Sequence, residues 1–317
     1  MKFLDEYRDA DIVKGYLKKI HQVVTRPWSI MEICGGQTHS LVKNGIVDLL
    51  PDEITMVHGP GCPVCVTPVE LIDQAIQIAQ TQDCILCSFG DMLRVPGTKQ
   101  SLLKAKAEGA DVRIVYSPLD AVAIARNEED KNVIFFAVGF ETTAPANALS
   151  ALQAKQLGLD NYFLLSSHVL VPPAMEALLQ DDETNIDGFL AAGHVCAVMG
   201  TAEYLPIVEK YHIPIVVTGF EPVDLIQGLW SCILQLERGE AKLENQYARV
   251  VSEDGNENAK KLISNIFEVT DRAWRGIGVL PNSGLGLNKE FQQFDANLKF
   301  EHDVKNTPTQ NGCIAGE

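Results

Sequence analysis

The clearest chemical motif of the sequence runs from His58 to Pro68 and contains Cys62 and Cys65 at C-x-x-C spacing. Two thiols at this spacing can close into a disulfide or hold one metal ion together. The motif follows a predicted strand and precedes a predicted helix that begins near Val69, where the helix dipole favours the reactive thiolate. The sequence therefore indicates a redox pair or half of a metal site.

A second candidate is Cys34, which ends a predicted strand and is followed by Gly35, Gly36 and, after two more residues, His39. The two glycines allow a tight turn that leaves the thiol accessible. His39 can exchange a proton with a thiol or lie over a ligand. This pattern favours a chemical role for Cys34, although it matches no protease signature.

Four of the remaining cysteines are predicted to be packing residues. Cys84 and Cys87 lie in one predicted strand, where positions three apart point to opposite faces and cannot share a ligand. Cys232 lies in an apolar run, and Cys196 follows Gly-His-Val at a predicted helix start. Free cysteine is a frequent core residue, so a structural role is expected for all four.

Two carboxylates repeat one pattern, because Glu141 and Glu221 each follow Gly-Phe at the end of a predicted strand. The segment 142–145, Thr-Thr-Ala-Pro, can cap the next helix and bring hydroxyl groups into the same cleft. Helix capping alone remains the alternative for both carboxylates. Histidines recur in the same position, with His58 and His194 also following strands. The sequence contains no Walker motif and no convincing G-x-G-x-x-G, so nothing indicates nucleotide binding.

The elements that must position these residues alternate along the chain. Short apolar runs such as 54–57, 84–89, 133–138 and 213–218 are separated by amphipathic stretches with helical spacing. This alternation predicts an α/β fold with mainly parallel sheets flanked by helices. In such sheets the chemistry gathers after the carboxyl ends of the strands, which is where the candidate residues lie.

Length, charge and composition exclude several classes of protein. The 317 residues predict about two domains, and the net charge of −16 argues against a nucleic-acid backbone binder. The apolar runs are far shorter than the roughly 20 residues of a membrane helix, and the amino terminus does not resemble a signal peptide. A cytoplasmic protein is expected. In a reducing compartment its eight cysteines point to metal or redox chemistry before structural disulfides.

Taken together, the motifs resemble those of the HypD family of [NiFe]-hydrogenase maturation proteins. The matching segments lie in one order over most of the chain: 34–39 (CGGQTH), 58–68 (HGPGCPVCVTP), 139–145 (GFETTAP), 193–195 (GHV) and 219–224 (GFEPVD). The resemblance implies a scaffold, rather than a turnover enzyme, on which an iron centre carrying cyanide and carbon monoxide is assembled. It also implies two partners, a small HypC-type protein and a HypE-type cyanide donor.

The resemblance further implies roles for individual residues. Cys34 would be an iron ligand shared with a cysteine of the HypC-type partner. Cys62 and Cys65 would be a redox-active pair near the iron and possible transient ligands. The cleft would be lined by four further side chains, namely His39, Glu141, His194 and Glu221.

The resemblance also implies a third, small region built from both chain ends. The expected division is 1–45 and 241–317 for this region, 46–130 for the first α/β domain and 131–240 for the second. The family normally continues into a segment whose four cysteines hold a four-iron four-sulfur cluster. Here Cys313 resembles the first cluster ligand and the other three are missing, so one thiolate cannot complete the cluster and truncation is expected.

Two other functions fit the residues alone. A stand-alone thiol-disulfide oxidoreductase would use Cys62 and Cys65 without iron or a partner, and Cys34 would be dispensable. A structural zinc protein would hold its metal through Cys62, Cys65 and a histidine, and removal of the metal would unfold it.

Overall fold

The computed structural model describes residues 5–181 and 184–300. Its strands are β1 (Trp28–Glu32), β2 (Ile54–His58), β3 (Cys84–Ser88), β4 (Val112–Ile114), β5 (Asn132–Gly139), β6 (Tyr162–Val169), β7 (Gly188–Ala192), β8 (Ile215–Thr218), β9 (Leu243–Asn245), β10 (Phe267–Trp274) and β11 (Gly278–Leu287).

The helices are α1 (Ala10–Val23), α2 (Gly35–Lys43), α3 (Pro63–Val66), α4 (Val69–Ala79), α5 (Leu102–Ala107), α6 (Pro118–Asn127), α7 (Ala144–Gln156), α8 (Val171–Leu179), α9 (Gly193–Met199), α10 (Leu205–Tyr211), α11 (Pro222–Glu237), α12 (Glu257–Ile266) and α13 (Ala296–Lys299). Among the helices of the described residues, none combines the length and the apolar composition needed to cross a membrane.

The chain divides into two compact units, each with one sheet. The first comprises the described parts of Met1–Cys62 and Ala174–Glu257, and the second those of Pro63–Pro173 and Asn258–Glu317. The four ranges expected from the sequence divide the chain differently, and they stay a prediction together with the third region.

The sheet of the first unit has the strand order β2-β1-β7-β8-β9, and every neighbouring pair is parallel. Its core joins one face of α1 to α11 and the sheet, with Ile20, Ile30 and Leu229 completely buried. The inner strands β7 and β8 are buried on both sides because helices cover both faces of a parallel sheet. The predicted α/β class is confirmed.

The sheet of the second unit has the order β10-β11-β6-β5-β3-β4. The four strands from β6 to β4 are parallel, whereas β10 and β11 form an antiparallel hairpin at one edge. The sequence did not predict this hairpin. Several residues of β10, including Glu268 and Asp271, are exposed, so the strand lacks the apolar run that marks a buried parallel strand.

The four cysteines predicted to be packing residues are all buried. Cys84 belongs to the core of the second unit between β3 and α4, and Cys87 lies completely buried in the same strand. Cys232 and Cys196 are completely buried in α11 and α9 of the first unit. The prediction of structural cysteines is confirmed.

Candidate functional site

Cys34 follows the end of β1 and forms the N-cap of α2. Its backbone is extended, so the side chain turns back over the helix start and the sulfur accepts a hydrogen bond from the Gly36 amide at 3.3 Å. Only 7% of the residue is exposed. The sequence thus folds into a parallel strand end that presents one nearly buried sulfur at a helix N-terminus.

The His194 ring lies beside this sulfur, with both ring nitrogens 3.9 Å from Sγ. His194 is in the first turn of α9, and the Phe220 ring packs against it with centroids 5.0 Å apart. Burial lowers the pKa of His194 to about 4. The imidazole is therefore neutral near neutral pH and can accept a hydrogen bond from the Cys34 thiol.

The glycines of the two cysteine motifs allow their main chains to meet. A Cβ on Gly61 would lie 2.4 Å from Cα and N of Cys34, closer than any real contact. The Gly35 amide donates to the Gly61 carbonyl oxygen at 3.1 Å, and a Cβ on Gly35 would be 3.8 Å from the Cys62 Cβ. The structure thus brings Cys34 and the beginning of the C-x-x-C motif together within the first unit.

Glu32 is a site residue that the sequence analysis did not single out. It lies two residues before Cys34 in β1 and is completely buried. Its Oε2 accepts the Cys34 amide at 3.0 Å, and its Oε1 accepts His58 Nδ1 at 2.7 Å and the Thr38 hydroxyl. The available signal was a carboxylate inside the apolar run 30–34, since a buried charge needs such partners.

The environment keeps the Cys34 thiol protonated. Burial raises its pKa, and the negative charges of Glu32 and Cys62 act in the same direction. The amides of Gly36 and Gln37 oppose this effect without reversing it. A divalent cation at the sulfur would displace the proton, because metal ions bind the thiolate.

The C-x-x-C motif lies where the chain passes from one unit to the other. Cys62 ends a segment of the first unit, and Cys65 lies in α3, at the start of the second. Both side chains are half-buried. After α3, the Thr67 hydroxyl donates to the Pro63 carbonyl oxygen at 2.8 Å and lies 3.3 Å from the Ser167 hydroxyl. These bonds fix the end of α3 to β6 within the second unit.

Glu141 lies in the second unit and is almost completely buried. Its Oε1 accepts the Val171 amide at 2.8 Å, at the start of α8. A Cβ on Gly139 would collide with the Thr143 hydroxyl, so the Gly-Phe-Glu-Thr-Thr turn requires glycine there. The structure gives Glu141 a helix-anchoring contact, related to the capping role that the sequence left open.

A buried histidine lies next to this turn. His168 Nε2 accepts a hydrogen bond from the Asn147 amide at 2.7 Å, and Nδ1 is 3.3 Å from the Ser166 hydroxyl. Burial lowers the pKa of His168 to about 3, and the positive charge of Arg272 lowers it further in the same direction. His168 is therefore neutral, and it ties α7 to β6.

Glu221 and His39 occupy different settings in the first unit. Glu221 is the N-cap of α11 and forms an ion pair with Arg8, whose Nη2 is 2.8 Å from Oε1. That guanidinium hydrogen bond lowers the pKa of the Glu221 carboxyl. His39 is exposed on α2. Of the sequence-predicted residues in this unit, the structure brings Cys34, Cys62 and His194 together.

An ion pair with one buried partner, the Asp224 carboxylate, supports the start of α11. Asp224 is completely buried and accepts Nη1 and Nη2 of Arg249, each at 2.6 Å. The Arg249 guanidinium lies 3.6 Å from the Tyr7 ring centroid and 4.5 Å from that of Tyr247. This stacked pair fixes the start of α11, directly after the loop that carries Phe220.

Metal-binding groups of three or more His, Cys, Asp or Glu side chains are absent from residues 5–181 and 184–300. Cys313, the predicted first cluster ligand, lies outside the described residues. The four-iron four-sulfur cluster and its ligand therefore stay a prediction.

Comparison with known proteins identifies the family. The family model described as HypD, hydrogenase formation hypA family, matches residues 11–317. A hydrogenase maturation factor HypD from Azotobacter vinelandii is 44% identical over 322 residues, which cover 99% of this chain and 85% of that protein. The HypD factor of Escherichia coli K12 is 44% identical over 95% of this chain and 83% of its own length. That of Rhodobacter capsulatus is 45% identical over 95% and 82%. The chain therefore belongs to the HypD family.

Proposed function

We propose that this HypD-family chain acts in hydrogenase maturation as a cytoplasmic scaffold on which the iron-cyanide-carbonyl centre of [NiFe]-hydrogenases is assembled. The observation that supports this most directly is the setting of Cys34. Its sulfur is nearly buried at a strand end, next to the neutral His194 ring, while the main chain of Cys34 is held by Glu32. Such a setting suits a thiol that gives up its proton to bind a metal ion, rather than one that only fills a core.

In this proposal iron is the cargo and Cys34 is its ligand. The raised pKa of Cys34 means that iron must displace a proton on binding, so capture should weaken as pH falls. Thiolate ligands suit iron, and their electron donation favours binding of diatomic ligands. A cysteine of a HypC-type partner would supply a further ligand, and a HypE-type partner would supply cyanide.

Cys62 and Cys65 would act as the redox pair of the scaffold. Both are half-buried, and Cys62 lies next to the Cys34 loop within the first unit. Closing them to a disulfide would release two protons and would supply two electrons while ligands are delivered to the iron. Transient iron ligation by either thiol belongs to the same proposal.

The other predicted residues would act around these thiols. His194 would orient the Cys34 sulfur, and exposed His39 would lie on the outer side of α2. Glu141 and Glu221 would hold the turns that follow β5 and β8, through Val171 and Arg8 respectively. For both carboxylates the contacts favour positioning over proton transfer.

The test is anaerobic co-purification with the HypC-type partner, followed by infrared spectroscopy. We expect cyanide and carbonyl bands in the wild type and their loss in Cys34→Ala. Cys84→Ala is the matched control, because it removes a buried thiol from the core of the second unit and should keep the bands. Absence of bands in the wild type, or their survival in Cys34→Ala, would contradict the proposal. Disulfide reductase activity that persists in Cys34→Ala without iron or partner would instead favour the stand-alone oxidoreductase.

A further inference from the structure

Arg275, in the second unit, is a buried arginine whose side chain has no counter-ion within the described part of the chain. Only 5% of the residue is exposed. Its Nε and Nη2 atoms are buried and have no hydrogen-bond partner among the residues that the structure describes. Guanidinium is always charged in proteins, and a buried charge without a partner is strongly destabilising. The residue therefore needs an anion that residues 5–181 and 184–300 do not supply.

Two other arginines show what the same pair of atoms does when a carboxylate is present. Arg113 uses Nε and Nη2 to hold the two oxygens of Asp111, each at 2.9 Å. Arg8 holds Glu221 through the same two nitrogens. These two N–H groups point in parallel and match the spacing of the oxygens of a planar oxyanion. In Arg275 this pair is buried and lacks a described protein acceptor.

The position of Arg275 connects it with the C-x-x-C segment. Its amide donates to the carbonyl oxygen of Val66 at 2.8 Å, and Val66 directly follows Cys65 in α3. The preceding Trp274 packs against Phe140, with ring centroids 6.2 Å apart. The main chain of Arg275 is thus anchored in the second unit at the end of the thiol-bearing helix.

We propose that Arg275 binds a free, planar, carboxylate-class oxyanion of the size of formate or bicarbonate. The anion would take the Nε and Nη2 hydrogens in the two-bond manner that Asp111 uses on Arg113. It would neutralise the buried charge next to the Cys65 helix. This site is independent of the iron ligand proposed above, because it uses neither Cys34 nor any other residue of its surroundings.

The test titrates sodium formate into the whole protein and follows urea unfolding, with sodium chloride at equal ionic strength as reference. We expect a saturable rise of the unfolding midpoint in the wild type, because a ligand that binds only the folded state stabilises it. Arg275→Met should show no such rise and, without formate, should unfold at higher urea than the wild type. Arg275→Lys keeps the charge but loses the paired donors, so its apparent affinity for formate should fall at least about tenfold.

Arg126→Met is the matched control, since it removes an exposed arginine of the same unit and should respond to formate like the wild type. A wild type that does not respond to formate would overturn the proposal. So would a response of Arg275→Met equal to that of the wild type. Strong destabilisation by Arg275→Met would show that the guanidinium is paired within the protein, and this would overturn it as well.

Discussion

Glu32 and His58 end two neighbouring parallel strands as register partners, and their side chains are hydrogen-bonded, with Nδ1 2.7 Å from Oε1. Glu32 is completely buried, whereas nearly half of the His58 side chain is exposed. Because the Glu32 carboxylate also accepts the Cys34 amide, one side chain links the Cys34 loop to the strand that leads into the C-x-x-C motif.

The first prediction concerns pH and Glu32. Burial raises the pKa of Glu32, although hydrogen bonds from Thr38 and His58 oppose the change. The folded state therefore holds the proton more tightly than the unfolded state. This contribution to stability is present below the ordinary carboxyl pKa and is lost as pH rises through the raised value. In urea unfolding, Glu32→Gln should gain stability relative to the wild type as pH rises across this window.

Glu237→Gln is the matched control for this prediction. Glu237 contacts the start of β1. Its carboxylate accepts hydrogen bonds from Trp28 Nε1 at 2.7 Å and from the Thr25 amide at 2.9 Å. Burial raises its pKa, but the hydrogen bonds from Thr25 and Trp28 outweigh burial and the net shift is downward. Its variant should lose stability relative to the wild type as pH rises. Equal slopes for the two variants would disprove the assignment.

The second prediction concerns the close approach of the two cysteine loops. Gly61→Ala places a methyl group 2.4 Å from the Cys34 main chain, which cannot move without breaking the α2 cap. We expect a loss of about 1–3 kcal/mol in the free energy of unfolding and faster alkylation of Cys34. Gly15→Ala, on the exposed side of α1 with open space around it, should gain about 0.5–1 kcal/mol and leave alkylation unchanged. Unchanged Cys34 alkylation in Gly61→Ala would contradict the close approach.

The third prediction concerns acid stability and His168. Its folded-state pKa of about 3 lies below the ordinary histidine value, so the stability it contributes is present above that ordinary value and is lost as pH falls. Between neutral pH and about pH 5, His168→Gln should gain about 2 kcal/mol relative to the wild type, since one pKa unit corresponds to about 1.4 kcal/mol. Urea unfolding at several pH values measures this. His21→Gln, which removes an exposed ring of the first unit, serves for comparison. If the stability difference between His168→Gln and the wild type did not change with pH, the prediction would be refuted.

The fourth prediction concerns the Asp224–Arg249 pair. Arg249→Met leaves the completely buried Asp224 carboxylate without its bidentate partner, so we expect a loss of about 3–5 kcal/mol in the free energy of unfolding. Arg8→Met removes an exposed arginine from the ion pair with Glu221 and should have a much smaller effect. Chemical denaturation of both variants provides the comparison. Similar losses in the two would show that burial does not decide the strength of these pairs.

The alternation of apolar runs and amphipathic stretches was sufficient to predict the α/β class and most of the parallel strands. The candidate residues at strand ends also followed from local sequence, because parallel sheets gather their loops at one edge. Sequence separated Cys34 from Cys84, Cys87 and Cys232, since glycines and a histidine follow only the first. The accessible thiol predicted for Cys34 was wrong, because only 7% of the residue is exposed. These predictions rest on short-range patterns.

Local sequence patterns could not predict which strands, distant along the chain, become neighbours in a sheet. β1 lies between β2 and β7, although β7 begins 156 positions after the last residue of β1, and no local pattern specifies such a partner. The hairpin of β10 and β11 was not predicted because its exposed residues interrupt the apolar pattern by which strands are recognised. Glu32 was missed because its importance comes from His58 and Thr38, which only the fold brings to it.

The 160 positions between Cys34 and His194 have a consequence for biosynthesis. On a ribosome the Cys34 thiol and the C-x-x-C motif emerge long before α9 and Phe220, so the sulfur first exists without the ring that later lies beside it. Strand β1 then lacks β7 on one side as well. The nascent chain therefore carries the Cys34 thiol before the His194 ring and strand β7 are present to surround it.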